Sequence, residues 1–458
     1  MKSIKTVISD GPVETNTQQQ KAREILTYIQ ENLYFNRPDL DVKGESHNAA
    51  LLFGLLTGLV GGKELIVGEP GLGKTTSAEY IGALLYRLPL GSIWEGEVSG
   101  HPEQTEEKIV GRPDLGQLNE GVEEVVWSSF ALLPVKVVDE INRLPETKQS
   151  MILDGVDRGN WSYLNKVVHN DEYCLFATAN YHDRGTNTIV APLLDRFDVM
   201  VESKHPGPNI SWMIGKEEPT YNLLRDPDRE HALQSFTLGQ DDQDDIEKIC
   251  SDYGDALEKR LGVPSFGKLD RQEIRRQTAG LPFDEDASAL MRTLLAELSF
   301  CCKHGQKRSN EICGEGCHYT GYLCYEVRTC PSNRLPISVR RYAQGLAWLL
   351  GDGIVDVEHL RTVIPYAAAH RIQWRDELDV LDEVGPRTEI LPIHRAREAT
   401  RKVYRRYREQ GDRIKSALAV AYRIFDGEKL QPTEGDHPIY SEIMRDLGME
   451  PPRPVLSD

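Results

Sequence analysis

One nine-residue stretch constrains this chain more than any other: Gly68-Glu69-Pro70-Gly71-Leu72-Gly73-Lys74-Thr75-Thr76. It fits the spacing G-x-x-x-x-G-K-[ST]. The run before it, Glu64-Leu65-Ile66-Val67, suits a buried strand, and Thr76 to Leu90 has helical spacing with Ala78, Ile81, Leu84 and Leu85 apolar. Strand, loop and helix in that order are what phosphate binding requires. Glycines at 68, 71 and 73 let the backbone turn tightly, so that its N–H groups point at one centre. The helix N-terminus adds the positive end of its dipole. Lys74 would then reach the β- and γ-phosphates of a nucleotide, and the Thr75 hydroxyl would sit on Mg²⁺.

Other strands follow at intervals that leave room for helices. Ile93 to Ser99 is a second candidate, and His101 to Glu120, rich in glycine and charge, must run over the surface. Val135-Lys136-Val137-Val138-Asp139-Glu140 is a buried run ending in two acids. Asp139 would hold Mg²⁺ through water, and Glu140 would polarise an attacking water. Tyr173 to Asn180 is the fourth strand, and Asn180 at its end would bond the γ-phosphate or that water; otherwise it is a strand-end turn residue. Arg196 stands just before the fifth strand, placed to point across a subunit boundary or to make a surface ion pair. The expected fold is α/β: a P-loop NTPase core with a parallel five-stranded sheet in three layers, then a small all-α lid.

The chain has 458 residues, room for two to four domains, and a net charge of −18, which argues against broad nucleic-acid binding. The composition divides it. Residues 1–41 are a polar extension with a helix at Lys21 to Leu33, and 42–202 are the nucleotide-binding core. Residues 203–268 carry Pro206, Pro208, Pro219, Pro227 and an acidic run, Asp241 to Glu247, and read as an irregular insertion with a helix or two. Residues 269–375 return to helical stripes: Met291, Leu294, Leu295 and Leu298; Tyr342, Leu346, Leu349 and Leu350; Val363, Tyr366 and Ala367. The tail, 376–458, holds a basic helix from His394 to Lys415 that would pack through Val403, Tyr404 and Tyr407. No basic-apolar leader opens the chain, and the longest apolar run, Ala49 to Val60, is too short to span a bilayer. A cytoplasmic protein without membrane insertion is expected.

Cysteines cluster at 301–330. Cys313-x₃-Cys317, with Gly314 and Gly316 between, has zinc-knuckle spacing, and Cys324 and Cys330 would complete four thiolates around a structural Zn²⁺. Cys301, Cys302, His304 and His318 are rival ligands; an iron–sulfur cluster, disulfides or free thiols are the alternatives.

Taken together, these segments resemble a MoxR-type AAA+ ATPase. Asp139-Glu140-Ile141-Asn142-Arg143 looks like that family's Walker B signature, Phe176 to Asn180 like its sensor 1, and Leu194-Asp195-Arg196-Phe197 like its arginine-finger segment. Ser338-Val339-Arg340 sits where sensor 2 opens a lid helix, and the likeness spans roughly 40–202 and 269–375. Two departures stand out: Ala179-Asn180-Tyr181 replaces the usual Gln-Asn-Pro, and Val339 replaces a proline, which makes Arg334 a competitor of Arg340. The resemblance implies an ATP-driven ring of identical subunits, commonly a hexamer. Such rings remodel protein complexes in a chaperone-like way, often with a partner bearing a von Willebrand A domain. A nucleic-acid motor related to MCM-type helicases is the alternative, because Leu193-Leu194-Asp195-Arg196-Phe197-Asp198 resembles those too.

Overall fold

The computed structural model of the chain describes residues 17–170, 172–180, 189–215, 220–239, 243–301, 305–306, 321–375 and 388–449. Its centre is a sheet of β1 (Lys63–Val67), β2 (Val98–Ser99), β3 (Val135–Asp139), β4 (Cys174–Ala179) and β5 (Val199–Glu202). The strands are all parallel, in the order β5-β1-β4-β3-β2. Helices flank the sheet, so its inner strands read as continuous apolar runs: every residue of β4 is buried. Even the acid of β1, Glu64, is fully buried, and burial pushes its carboxyl well above the usual range.

In chain order, α1 (Thr17–Tyr28) ends in a π-turn at Ile29–Leu33, and α2 (Ala49–Val60) is buried at every position. The helix after the P-loop is α3 (Lys74–Tyr86). The stretch Ile93 to Ser99 departs from the expected strand. It begins in α4 (Leu90–Gly96), and only Val98 and Ser99 pair with the sheet. Tertiary contacts override its β-branched and aromatic residues: Ile93 is buried against α3, and the Trp94 indole donates to Glu79 at 3.0 Å. Then comes α5 (Glu146–Arg158).

The stretch expected to be irregular, 203–268, is largely helical where described, with Pro208–Ile214, α6 (Pro227–Gly239) and α7 (Gln243–Leu261). Glu230 fastens it to the core, accepting from Arg225 Nε and Nη2 at 2.7 Å and from the Gly91 amide at 3.0 Å. Asp241 and Asp242 of the acidic run lie outside the described residues.

The helical part after the core comprises α8 (Lys268–Gly280), α9 (Glu285–Ser299), α10 (Arg334–Leu350) and α11 (Val357–Ala368). Two more helices, α12 (Leu391–Phe425) and α13 (Pro438–Asp446), close over it. Val403 and Tyr407 of α12 are buried. The fully buried Glu297 of α9 anchors both helices, bound by Arg406 of α12 and by His437, which caps α13, at 3.1 Å. The Asp198 carboxylate joins core and lid, accepting the Lys63 amide at 3.0 Å and the Ser338 hydroxyl at 2.6 Å. Among the described residues no helix is long and apolar enough to cross a membrane.

Candidate functional site

The parallel register brings the C-terminal ends of β1, β4 and β3 to one edge, with Ala179 opposite Val67 and Ala177 opposite Val138. From that edge rises the P-loop. Gly71 and Gly73 take φ of 78° and 72°, a left-handed conformation that favours glycine. Lys74 is 7% exposed, and its ammonium donates to the Gly68 and Glu69 carbonyls and to Asn180 Oδ1 at 2.9–3.0 Å. Burial lowers its pKa, opposed by the charges of Asp139, Glu140 and Glu69.

Asp139 Oδ1 accepts from the hydroxyls of both Thr75 and Thr178 at 2.6 Å. The Thr75 hydroxyl and the Asp139 carboxylate are hard oxygen donors beside the P-loop helix, the donor set that suits Mg²⁺. Asn180 Nδ2 donates to Glu140 Oε1 at 2.6 Å, and Arg143 Nη1 lies 2.7 Å from Glu140 Oε2. Lys74, Thr75, Asp139, Glu140 and Asn180, singled out from sequence, thus form one connected group. Three further members lie within the quoted motifs but carried no role of their own there: Thr178, which also accepts the Glu140 amide at 2.8 Å; Asn142, which donates to the Asn180 carbonyl at 3.3 Å; and Arg143. Thr178 was within reach of sequence reasoning, two residues before Asn180 on the strand beside Asp139.

A cavity of about 500 Å³ opens beside Gly71, Leu72 and Gly73. Its walls include Tyr34 and Phe35 before the core, Tyr80 on α3 and Tyr221 from the insertion. Aromatic walls next to a phosphate loop suit a planar base. Tyr34 and Ser203 both donate to the Leu72 carbonyl, at 3.3 and 2.9 Å.

The structure does not bring the candidate arginines to this group. Arg196 donates to Asp157 Oδ2 with Nη2 at 3.1 Å and to the Pro192 carbonyl with Nη1 at 2.8 Å, and its Nε lies 3.1 Å from Asp157 Oδ1. Arg334 binds Asp195 and Asp157, and the Arg340 guanidinium lies over the Phe283 ring, 5.4 Å from its centre. Of the candidate zinc ligands, Cys313 and Cys317 lie outside the described residues. Cys324 is buried on a short helix, and the Cys330 thiol is 3.6 Å from the Ser299 carbonyl. Among the described residues no three His, Cys, Asp or Glu side chains are grouped to hold a metal.

This fold and this group of residues define the class: a P-loop NTPase core followed by a helical lid. Residues 64–197 match the AAA domain of the dynein-related subfamily. The chain is similar to the Lon protease of Clostridium beijerinckii, 29% identical over 238 residues, covering 48% of this chain and 27% of that one. It is likewise similar to Lon protease 1 of Syntrophotalea carbinolica, 32% identical over 162 residues, covering 32% and 18%. The chain therefore spans about a quarter or less of these curated relatives. In fold it resembles the crystal structure of a candidate ATPase from Cytophaga hutchinsonii. The TM-score is 0.56 at 16% identity, over 85% of this chain and 94% of that one.

A crowded carboxyl pair lies near Asp139. Burial and the neighbouring Glu97 push Glu79 up to about 8, and burial and Asp139 push Glu97 up to about 7. Both values exceed the ordinary 4.5, so the unfolded chain ionises first as pH rises. The pair's contribution is full below about pH 4.5 and is lost as pH climbs towards about 8. Without nucleotide, the thermal midpoint should fall between pH 5.5 and 8.5, and Glu79→Gln should flatten that fall. A wild-type slope in the variant would reject this assignment.

Proposed function

We propose that the chain is a MoxR-type ATPase that hydrolyses ATP with Mg²⁺ in a ring of identical subunits, commonly six. In the cytoplasm it would remodel protein complexes together with a von Willebrand A-domain protein. The observation that carries this reading is sheet polarity. Arg196 precedes β5, whose Val199 pairs with Glu64 near the start of β1, whereas the P-loop leaves the end of β1. The length of a strand of five residues, about 16 Å at 3.3 Å per residue, separates the arginine from its own P-loop. An arginine in that place serves the nucleotide of another copy. The signature Asp139 to Arg143 supports the MoxR assignment, and the proteases among the relatives support a protein client over a nucleic acid. The Gly68–Thr76 loop would hold the phosphates, Thr75 and Asp139 the Mg²⁺, and Asn180 the water that Glu140 activates.

Glu140→Gln should bind ATP yet lose turnover, since size stays while general-base capacity vanishes; ATP hydrolysis at the wild-type rate would remove Glu140 from this role. Mixing two inactive variants, Lys74→Ala and Arg196→Ala, tests the shared site. Some interfaces then pair an intact Lys74 with an intact Arg196, and part of the activity should return. An arginine at the γ-phosphate is worth about 10³–10⁵ in rate in well-studied systems. No recovery at any ratio, with co-assembly demonstrated, would count against a shared site, and stimulation of hydrolysis by DNA or RNA would favour the motor reading.

The structural zinc site of Cys313, Cys317, Cys324 and Cys330 belongs to the same proposal. Four thiolates leave no open position, so its role would be to order a glycine-rich loop. Elemental analysis of protein purified without chelator should find about one zinc per chain. Absence of both zinc and iron, with all thiols titratable in the folded protein, would dismiss it.

A further inference from the structure

We propose that Asp157, at the end of α5, is a positioning residue that holds Arg196 and Arg334 as one two-guanidinium unit for the nucleotide of a neighbouring copy. This rests on the shared-site reading above and deepens it, because it assigns Asp157 and makes Arg334 the companion of Arg196. Asp157 Oδ1 lies 3.1 Å from Arg196 Nε and 3.4 Å from Arg334 Nη2, while its Oδ2 accepts from Arg196 Nη2 at 3.1 Å. The Nη2 bond to Asp157 and the Nη1 bond to the Pro192 carbonyl, from two different nitrogens, fix where the Arg196 guanidinium lies. Two guanidiniums side by side repel, and the carboxylate between them makes their approach favourable.

The backbone below is held rigidly. Arg371, 8% exposed, donates to the carbonyls of Asp195, Phe197 and Asp198 at 3.1, 2.5 and 3.0 Å. His370 Nε2 adds a second contact to the Phe197 carbonyl at 2.8 Å. The Asp195 carboxylate takes the Ser332 hydroxyl at 2.7 Å and Arg334 Nη1 at 3.2 Å, which ties the first turn of α10 to the same loop. Arg334 therefore shares the edge of the sheet far from its own P-loop. Its side chain is 41% exposed, open to a second molecule. A triphosphate carries more charge and more acceptor oxygens than one carboxylate, so it would draw both guanidiniums off Asp157 when a neighbour presents it.

The test uses the mixture of Lys74→Ala chains, which donate the arginine, and Arg196→Ala chains, which bind the nucleotide. Asp157→Asn placed in the donating chain should lower the recovered ATPase about tenfold, as expected for a misplaced catalytic group. Placed in the nucleotide-binding chain, the same substitution should change nothing. Asp157→Glu in the donating chain should restore most of the loss. Arg334→Ala should likewise act only from the donating chain. No recovery in the unmodified mixture would overturn the shared-site reading, and this inference with it. Recovery that ignores Asp157→Asn in the donating chain, or that falls equally from either chain, would overturn the inference alone. So would Arg334→Ala acting only in the nucleotide-binding chain.

Discussion

In a parallel sheet every strand delivers its C-terminal residue to the same edge, and almost everything in this molecule depends on that polarity. β1 ends in the P-loop, β3 in Asp139 and β4 in Ala179, and side chains from the three ends meet within hydrogen-bond distance. Lys74 reaches Asn180, Asn180 reaches Glu140, and Thr75 reaches Asp139. None of these contacts requires a long loop, because the ladder has already placed the backbones about 4.8 Å apart. The opposite edge receives what precedes the strands, including Arg196 and Asp198. The fold thus separates the P-loop and its partners from the candidate arginine by construction.

Asp198 shows how the far edge communicates with the lid. Its carboxylate accepts the amide of Lys63, the residue that begins β1, and the hydroxyl of Ser338 within α10. Arg371, three residues past the end of α11, holds the carbonyls of Phe197 and Asp198. A buried guanidinium left without partners would cost several kcal/mol, so these bonds resist separate motion of lid and loop.

How much of this the chain discloses unaided depends on sequence separation. The P-loop is local: strand, glycines, lysine and helix follow within a few turns of chain, so residue type and spacing suffice. Asp139, Glu140 and Asn180 are legible because each ends an apolar run whose length fits a buried strand. The segment Ile93 to Ser99 misleads since Ile93, Trp94 and Val98 are residues that suit a strand, yet Trp94 finds Glu79 on α3 and the chain coils to reach it. Asp157 could not be read at all. It is an ordinary acid at the end of a helix until the fold brings it to Arg196, 39 residues on, and to Arg334, 177 residues on. Arg371 is equally silent, 176 residues from the carbonyl of Asp195.

Glu140 has φ 49° and ψ 50°, a left-handed conformation that costs a residue with a side chain about 1–2 kcal/mol. Three contacts hold it there: its amide on Thr178, and its carboxylate on Asn180 and Arg143. Gly100 gives room, since a Cβ at that position would lie 2.0 Å from the Glu140 carbonyl oxygen. The physical reason lies in the pleat. Consecutive residues of a strand send their side chains to opposite faces, so an extended Glu140 would turn away from the loop that Asp139 addresses. Leaving the strand through a left-handed residue rotates the second acid back. Asp139 then meets Thr75 while Glu140 meets the asparagine bound to Lys74. Two adjacent carboxylates can face one phosphate loop only at the cost of that strain, and the Thr178 hydroxyl, bonded to both residues, is what keeps the arrangement in place.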